Sequence, residues 1–195
     1  MKVAVVSDTH GYCDPRLKEL FSGVAAILHA GDVGSGAVLD ELSQIAPVHA
    51  VKGNVDADSL DLPPTRTVNF ENTQVEIRHA LPIPQSELEE WSDTQLLGKM
   101  HPARRDGFLR GLAPGTRVVV FGHSHQPCLL TIGNTLFFNP GSAGNKRFSL
   151  PRCCGMLEVF PRGVRGFMIS LGRHNERLPA KIWLPLKEGA EESGA

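Results

Sequence analysis

The sequence predicts an α/β fold whose first half forms a parallel sheet with helices on its faces and whose second half forms a mostly antiparallel sheet. Three observations predict it. Short apolar runs at Lys2 to Ser7, Ala26 to Leu28 and Val48 to Val51 alternate with segments of helical periodicity, the pattern that builds βα units and a parallel sheet. Polar residues close these runs at near-constant spacing: Asp8, Asp32, Asn54 and His79 stand 24, 22 and 25 residues apart, about one βα repeat each. From Val118 onward the runs are short and joined by Gly-containing turns with no helical segment between them, as in antiparallel strands.

Each element has a local reason. Lys2 to Ser7 is β-branched and bounded by polar residues, which suits a strand buried on both faces. Asp14-Pro15 caps and opens a helix, with Leu17, Leu20 and Phe21 on one stripe before Gly23. A second helix over residues 37–45 places Val38, Leu39, Leu42 and Ile45 at helical spacing. Pro63-Pro64 then breaks the chain. Thr65 to Phe70 and Gln74 to Arg78 flank Glu71-Asn72-Thr73 as a hairpin, and His79 ends its second strand. Ser86 to Leu112 reads as one or two polar helices opened by the capping pattern Ser86-Glu87-Leu88-Glu89, interrupted at Pro102 and closed by Pro114-Gly115. Val118 to Phe121 is a third buried strand, followed by strands at Leu129 to Ile132, Leu136 to Asn139, Met156 to Phe160 and Val164 to Leu171.

With 195 residues, 41% of them hydrophobic, the chain suits one domain with a sizeable core. We expect that domain over residues 1–186, with the charged, small-residue stretch 187–195 as a frayed tail. Lys+Arg 20 against Asp+Glu 21 gives a net charge of -1, so no bulk basic field holds nucleic acid and no stable nucleic-acid complex is expected. Cys13, Cys128, Cys153 and Cys154 lack metal-site or redox spacing and read as ordinary buried thiols. The N-terminus opens directly into an apolar strand, and no apolar stretch approaches membrane-spanning length. The expectation is therefore a cytoplasmic protein that does not enter a membrane.

Candidate chemistry collects at strand ends: Asp8 and His10, Asp32, Asn54, His79, then His123 and His125. The spacing implies that these side chains emerge side by side on the carboxyl edge of one sheet, where open α/β sheets bind ligands. Gly31 and Gly53 precede Asp32 and Asn54, letting the backbone turn sharply and approach an ion. Seven oxygen and nitrogen donors exceed what one ion needs, and the absence of thiolate suits Mn, Fe, Zn, Co or Ni. Two divalent ions, manganese foremost, are the natural count, with Asp32 the central candidate for a bridging carboxylate.

Asp8-x-His10, Gly31-Asp32, Gly53-Asn54-x-Asp56, His79 and Gly122-His123-x-His125 together resemble the calcineurin-like metallophosphoesterase superfamily, and their order is similar to its small bacterial and archaeal phosphodiesterase branch. The later Asn139-Pro140-Gly141-Ser142 is similar to a turn of that branch, and the resemblance spans roughly residues 2 to 171. Five motifs in register are a specific signal, whereas one DxH or HxH is not. The resemblance implies a four-layer α/β/β/α sandwich with a mixed first sheet. It also implies a metal-dependent phosphodiesterase in which hydroxide attacks the phosphorus of a small phosphoester. By that resemblance Asp8, His10, Asp32 and His125 hold the first ion, and Asp32, Asn54, His79 and His123 the second. Asp32, Asn54 and His79 carry the catalytic assignment.

Two departures bear on substrate. Val55 stands where the superfamily often has a histidine able to protonate the leaving oxygen, and Leu81 stands where a second histidine commonly follows His79. Loss of a positioned acid favours leaving groups that depart without a proton. Other residues keep plainer readings. His29 is either an orienting partner of the site or a satisfied core histidine. Asp56 either orients a ligand or ends its loop, and Asn139 and Ser142 are turn formers. His49, His101 and His174 are packing or surface residues. Arg104, Arg105 and Arg110 form a solvated basic face or a phosphate contact on a segment that could serve as a lid. Trp91 marks a candidate contact between copies of the chain. Two other readings stay open: a non-catalytic assembly scaffold of the same fold, and a nucleotide phosphatase or nuclease of the same superfamily.

Overall fold

In the computed structural model, the described residues are 1–81, 97–98, 100–145, 149–172 and 178–185. They form eleven strands and three helices, with one 3₁₀ turn at Asp58–Leu60. The strands are β1 Lys2–Val6, β2 Ala26–His29, β3 Val48–Ala50, β4 Thr65–Phe70, β5 Thr73–Arg78, β6 Thr116–Val120, β7 Cys128–Ile132, β8 Thr135–Asn139, β9 Cys153–Phe160, β10 Gly163–Ser170 and β11 Ile182–Pro185. The helices are α1 Leu17–Leu20, α2 Gly36–Ser43 and α3 Pro102–Arg110. Among the described residues no helix is long and apolar enough to cross a membrane.

Six strands make the first sheet in the order β11-β10-β9-β1-β2-β3, and five make the second in the order β4-β5-β6-β8-β7. In the first, β1, β2 and β3 run parallel, as the βα alternation predicts, and β9 pairs antiparallel with β1. The second sheet is also mixed. Its edge pairs β4/β5 and β7/β8 are antiparallel, but its central pairs β5/β6 and β6/β8 are parallel. The long connection from β5 to β6 crosses over the sheet, and β7 steps outside β8, so short strands adjacent in sequence end up parallel neighbours. β9 and β10 likewise leave the second half of the chain to join the first sheet.

The burial pattern explains why β1 is apolar throughout. Val3 and Val5 face the second sheet, packing with Ile77, Val118, Val120 and Phe138, while Ala4 and Val6 face Leu17, Phe21, Val38 and Leu42 of the α1 and α2 layer. A third cluster packs Phe108 of α3 against Val119, Phe121 and Phe137 on the far face of the second sheet. Helix, sheet, sheet and helix are therefore the four layers.

Helix starts match their capping chemistry. Ser35 caps α2 by accepting from Ala37 N at 3.3 Å. Asp14 accepts from Arg16 N at 3.1 Å, just ahead of α1. Pro102 opens α3 at its first turn, where a proline needs no N–H partner, and the His101 Nδ1 accepts from Ala103 N at 3.3 Å; Met100 and His101 are non-helical, so the segment is interrupted just ahead of Pro102 as expected. Thr73 pairs with Phe70, so the hairpin loop is the two residues Glu71-Asn72, with Glu71 at φ 52. The expected helix start at Ser86, Trp91, His174 and the tail 187–195 lie outside the described residues. β11 was not anticipated: Ile182-Trp183-Leu184 is a short apolar run hemmed by prolines, too brief for periodicity to speak.

Buried Asp14 joins layers that are distant in sequence. Its carboxylate takes Arg16 Nη2 and Arg152 Nη2, both at 2.7 Å, and Arg152 also donates to the Ala143 and Gly144 carbonyls. The Arg16 hydrogen bond, ahead of the contribution from Arg152, overrides burial and holds this carboxyl well below the usual carboxylate range. A depressed pKa means stability that is present above the unfolded value, near 4, and lost as pH falls below it. We expect Asp14→Asn to lower unfolding stability by about 2 kcal/mol at pH 7. In urea melts the gap from the parent should narrow by pH 3.

Candidate metal centre

The donors sit in loops that leave the carboxyl ends of β1, β2 and β3 in one sheet and of β5 and β6 in the other. The expectation of a single sheet edge is corrected here: His79, His123 and His125 come from the second sheet. The β4/β5 hairpin starts that sheet, and its parallel strands end at the same rim of the sandwich. The site thus lies across the two sheets, and all seven predicted residues converge there.

They fall into two groups. In one, His10 Nε2 and His125 Nε2 lie 3.1 Å apart, His125 Nε2 is 3.2 Å from Asp8 Oδ1, and His10 Nε2 is 3.8 Å from Asp32 Oδ2. In the other, His79 Nε2 is 2.9 Å from Asn54 Oδ1, 3.3 Å from Asp32 Oδ1 and 3.3 Å from His123 Nδ1. His123 Nδ1 completes it at 3.0 Å from Asn54 Oδ1. Asp32 therefore turns one oxygen toward each group. At these distances each pair shares either a ring proton or a cation between its atoms. Oxygen and imidazole donors without sulfur fit a divalent ion of the Mn to Zn series.

Tautomers and charges are set from behind. The Ala30 carbonyl accepts from His79 Nδ1 at 2.7 Å, leaving Nε2 to face the centre. Burial works against the His79 imidazolium, but the Asp32 hydrogen bond and the Asp8 charge outweigh it and hold the pKa above its ordinary value. A bound cation takes the place of such a proton. Burial likewise opposes the Asp32 carboxylate, yet His79, the Val55 N–H at 3.1 Å and His10 hold its pKa down at about 2. Burial, then the neighbouring His79 charge, lowers His123.

Five of the seven donors, Asp8, His10, Asp32, His123 and His125, have φ between 49 and 72, left-handed backbone that costs energy in a non-glycine residue. Residues that the sequence left ambiguous hold them there. His29 is fully buried and pushed down to about 4 by burial, hence neutral. Its Nδ1 accepts from Gly31 N at 3.2 Å, and its Nε2 meets Thr9 Oγ1 at 2.9 Å, which donates on to Val33 O. Buried Asp56 accepts from Gly34 N at 2.7 Å and Gly53 N at 2.8 Å, clamping the loops after β2 and β3 together. Ser142 Oγ donates to the Asp8 carbonyl at 2.8 Å, and Asn139 Nδ2 donates to Gly122 O at 3.0 Å. These two do more than form a turn, and only partners more than a hundred residues away, in the case of Ser142, reveal it. By contrast Arg104 and Arg110 are exposed on α3 and Arg105 pairs with Asp106, a solvated face.

Glycine is required where loops nearly touch. A Cβ on Gly53 would lie 2.1 Å from both Asp32 N and Asp32 Oδ1, and one on Gly122 would lie 1.9 Å from Ser7 Oγ. We expect Gly53→Ala to keep its secondary structure by circular dichroism but to weaken Mn²⁺ binding in calorimetry by about 10–100-fold, the loss typical when the surroundings that orient a metal ligand are disturbed.

A family model for the calcineurin-like phosphoesterase superfamily domain matches residues 1–160. The chain is 33% identical over 159 residues to a probable metallophosphoesterase of Methanothermobacter thermautotrophicus, covering 77% of this chain and 82% of that protein. By structure it is similar to vacuolar protein sorting 29 of Cryptosporidium parvum, with TM-score 0.72 at 18% identity over 95% of this chain and 98% of that one. It is also similar to the phosphoesterase YfcE of E. coli, with TM-score 0.63 at 24% identity over 94% and 100%. At these identities the two structural likenesses speak to the fold alone.

Proposed function

The chain belongs to the calcineurin-like phosphoesterase superfamily, and from that premise we propose that it is a two-metal phosphodiesterase acting on a small phosphodiester. The observation that carries the reading is Asp32, whose two carboxylate oxygens each face a separate set of donors. Asp8, His10, Asp32 and His125 would hold one divalent ion, and Asp32, Asn54, His79 and His123 the other, with manganese the first choice and Fe, Zn, Co or Ni chemically acceptable. Such a pair, when bound, lowers the pKa of water and neutralises charge at phosphorus.

The protein's own part is placement. His79 is oriented by Ala30, Asp8 is held by the His123 N–H at 3.2 Å, and Asp32 is kept ionised. Asn54 is solvent-exposed, so the site opens outward and a small ester can reach it. Beside it Val55 is 55% exposed and its N–H is committed to Asp32. No proton donor stands at that position, which supports a diester with a weakly basic leaving oxygen.

The test is hydrolysis of bis(p-nitrophenyl) phosphate and of p-nitrophenyl phosphate with Mn²⁺ and after chelation. Metal-dependent turnover of the diester above the monoester is expected. Absence of turnover with every metal of the series would instead favour a scaffold, and preference for the monoester a nucleotide phosphatase.

A further inference from the structure

A groove of about 370 Å³ adjoins the second donor group, lined by Asn54 and His79 together with Lys52, Pro64, Thr65 and Arg78. Its two charged lining residues are both cations. Arg78 is positioned firmly: its Nε donates to Glu76 Oε1 at 2.9 Å and its Nη2 lies 2.6 Å from the same oxygen. Glu76 itself is buried and anchored by Ala113 N at 2.8 Å. A fork held through one edge keeps its remaining N–H donors for another acceptor. Lys52 is fixed at its backbone by the Pro63 carbonyl at 2.8 Å, while its ammonium pairs with Asp58, whose side chain is 97% exposed. An exposed pair of that kind contributes little and is readily exchanged for a better anion.

Resting on the phosphodiesterase reading, we propose that this groove binds a second anionic group of the substrate, so that the preferred substrate is a phosphodiester bearing a further phosphate, phosphonate or carboxylate. The reacting phosphorus lies at Asn54 and His79, and the second anion lies between Lys52 and Arg78. The Asp58 carboxylate is displaced from Lys52 as that anion arrives. A cation pair in the groove that Asn54 and His79 also line holds a flexible substrate in one register, which is the entropic part of catalysis.

Two esters test it: ethyl p-nitrophenyl phosphate and the same ester carrying a terminal phosphonate on its ethyl chain. With the manganese-loaded protein, the phosphonate is expected to raise kcat/KM about tenfold or more, mainly through KM. Lys52→Met and Arg78→Lys should each draw that ratio back toward one, whereas Asp58→Asn, which releases Lys52, should raise it. Calorimetry of the two products, ethyl phosphate and phosphonoethyl phosphate, should show the same order of binding. A ratio near one in the parent, together with equal product binding, would overturn the groove. If neither ester turns over, the phosphodiesterase reading fails, and product binding alone then decides whether the groove takes an anion.

Discussion

Asp32→Asn is expected to reduce metal-dependent diester hydrolysis by about 10³-fold or more while leaving the sandwich folded. An amide keeps the shape of the carboxylate and the Val55 contact, but it offers one oxygen where two are needed, toward His10 and toward His79. The loss corresponds to about 4 kcal/mol of transition-state stabilisation, the scale on which metal ions act in phosphoryl transfer. Metal content by mass spectrometry should fall from two ions per chain to one or none. Full activity in the variant would show that Asp32 does not join two ions, and the two-metal reading would fall with it.

The second large effect concerns the leaving group. With Val55 exposed beside Asn54 and no acid in its place, hydrolysis should slow steeply as the leaving alcohol becomes more basic. A series of aryl to alkyl diesters measures that slope. Val55→His puts an imidazole at the mouth, and a well-placed proton donor is worth about 10²-fold. We expect the gain to appear for alkyl leaving groups and to be nearly absent for p-nitrophenol. An equal gain for both would mean that the imidazole acts by binding rather than by donating a proton.

Much of this was legible in the chain. β1 to β3, α2 and the hairpin follow from periodicity and breakers, because each is decided by residues within a few positions of one another. The seven candidate donors share a related signal: each lies at or within a few residues of the end of an apolar strand. What the chain concealed was set by distant partners. Nothing near His79 says that its strand belongs to another sheet than Asp32. Asp56, Ser142 and Asn139 look like ordinary turn residues until Gly34, Asp8 and Gly122 come into contact with them. β11 escaped because three apolar residues ahead of a proline carry too little pattern. The parallel centre of the second sheet escaped because sequence neighbours predict hairpins more readily than crossovers.

The five left-handed donors carry a wider consequence. At about 1 kcal/mol each, the low end of the cost of such backbone, their conformations together withhold roughly 5 kcal/mol, against a total stability of about 5–15 kcal/mol for a domain. Aspartate and histidine are among the side chains that tolerate this conformation best, so the residues able to coordinate are also those the loops can accommodate. Glycine at the same positions would relax the rim and make a sturdier protein with nothing to offer an ion.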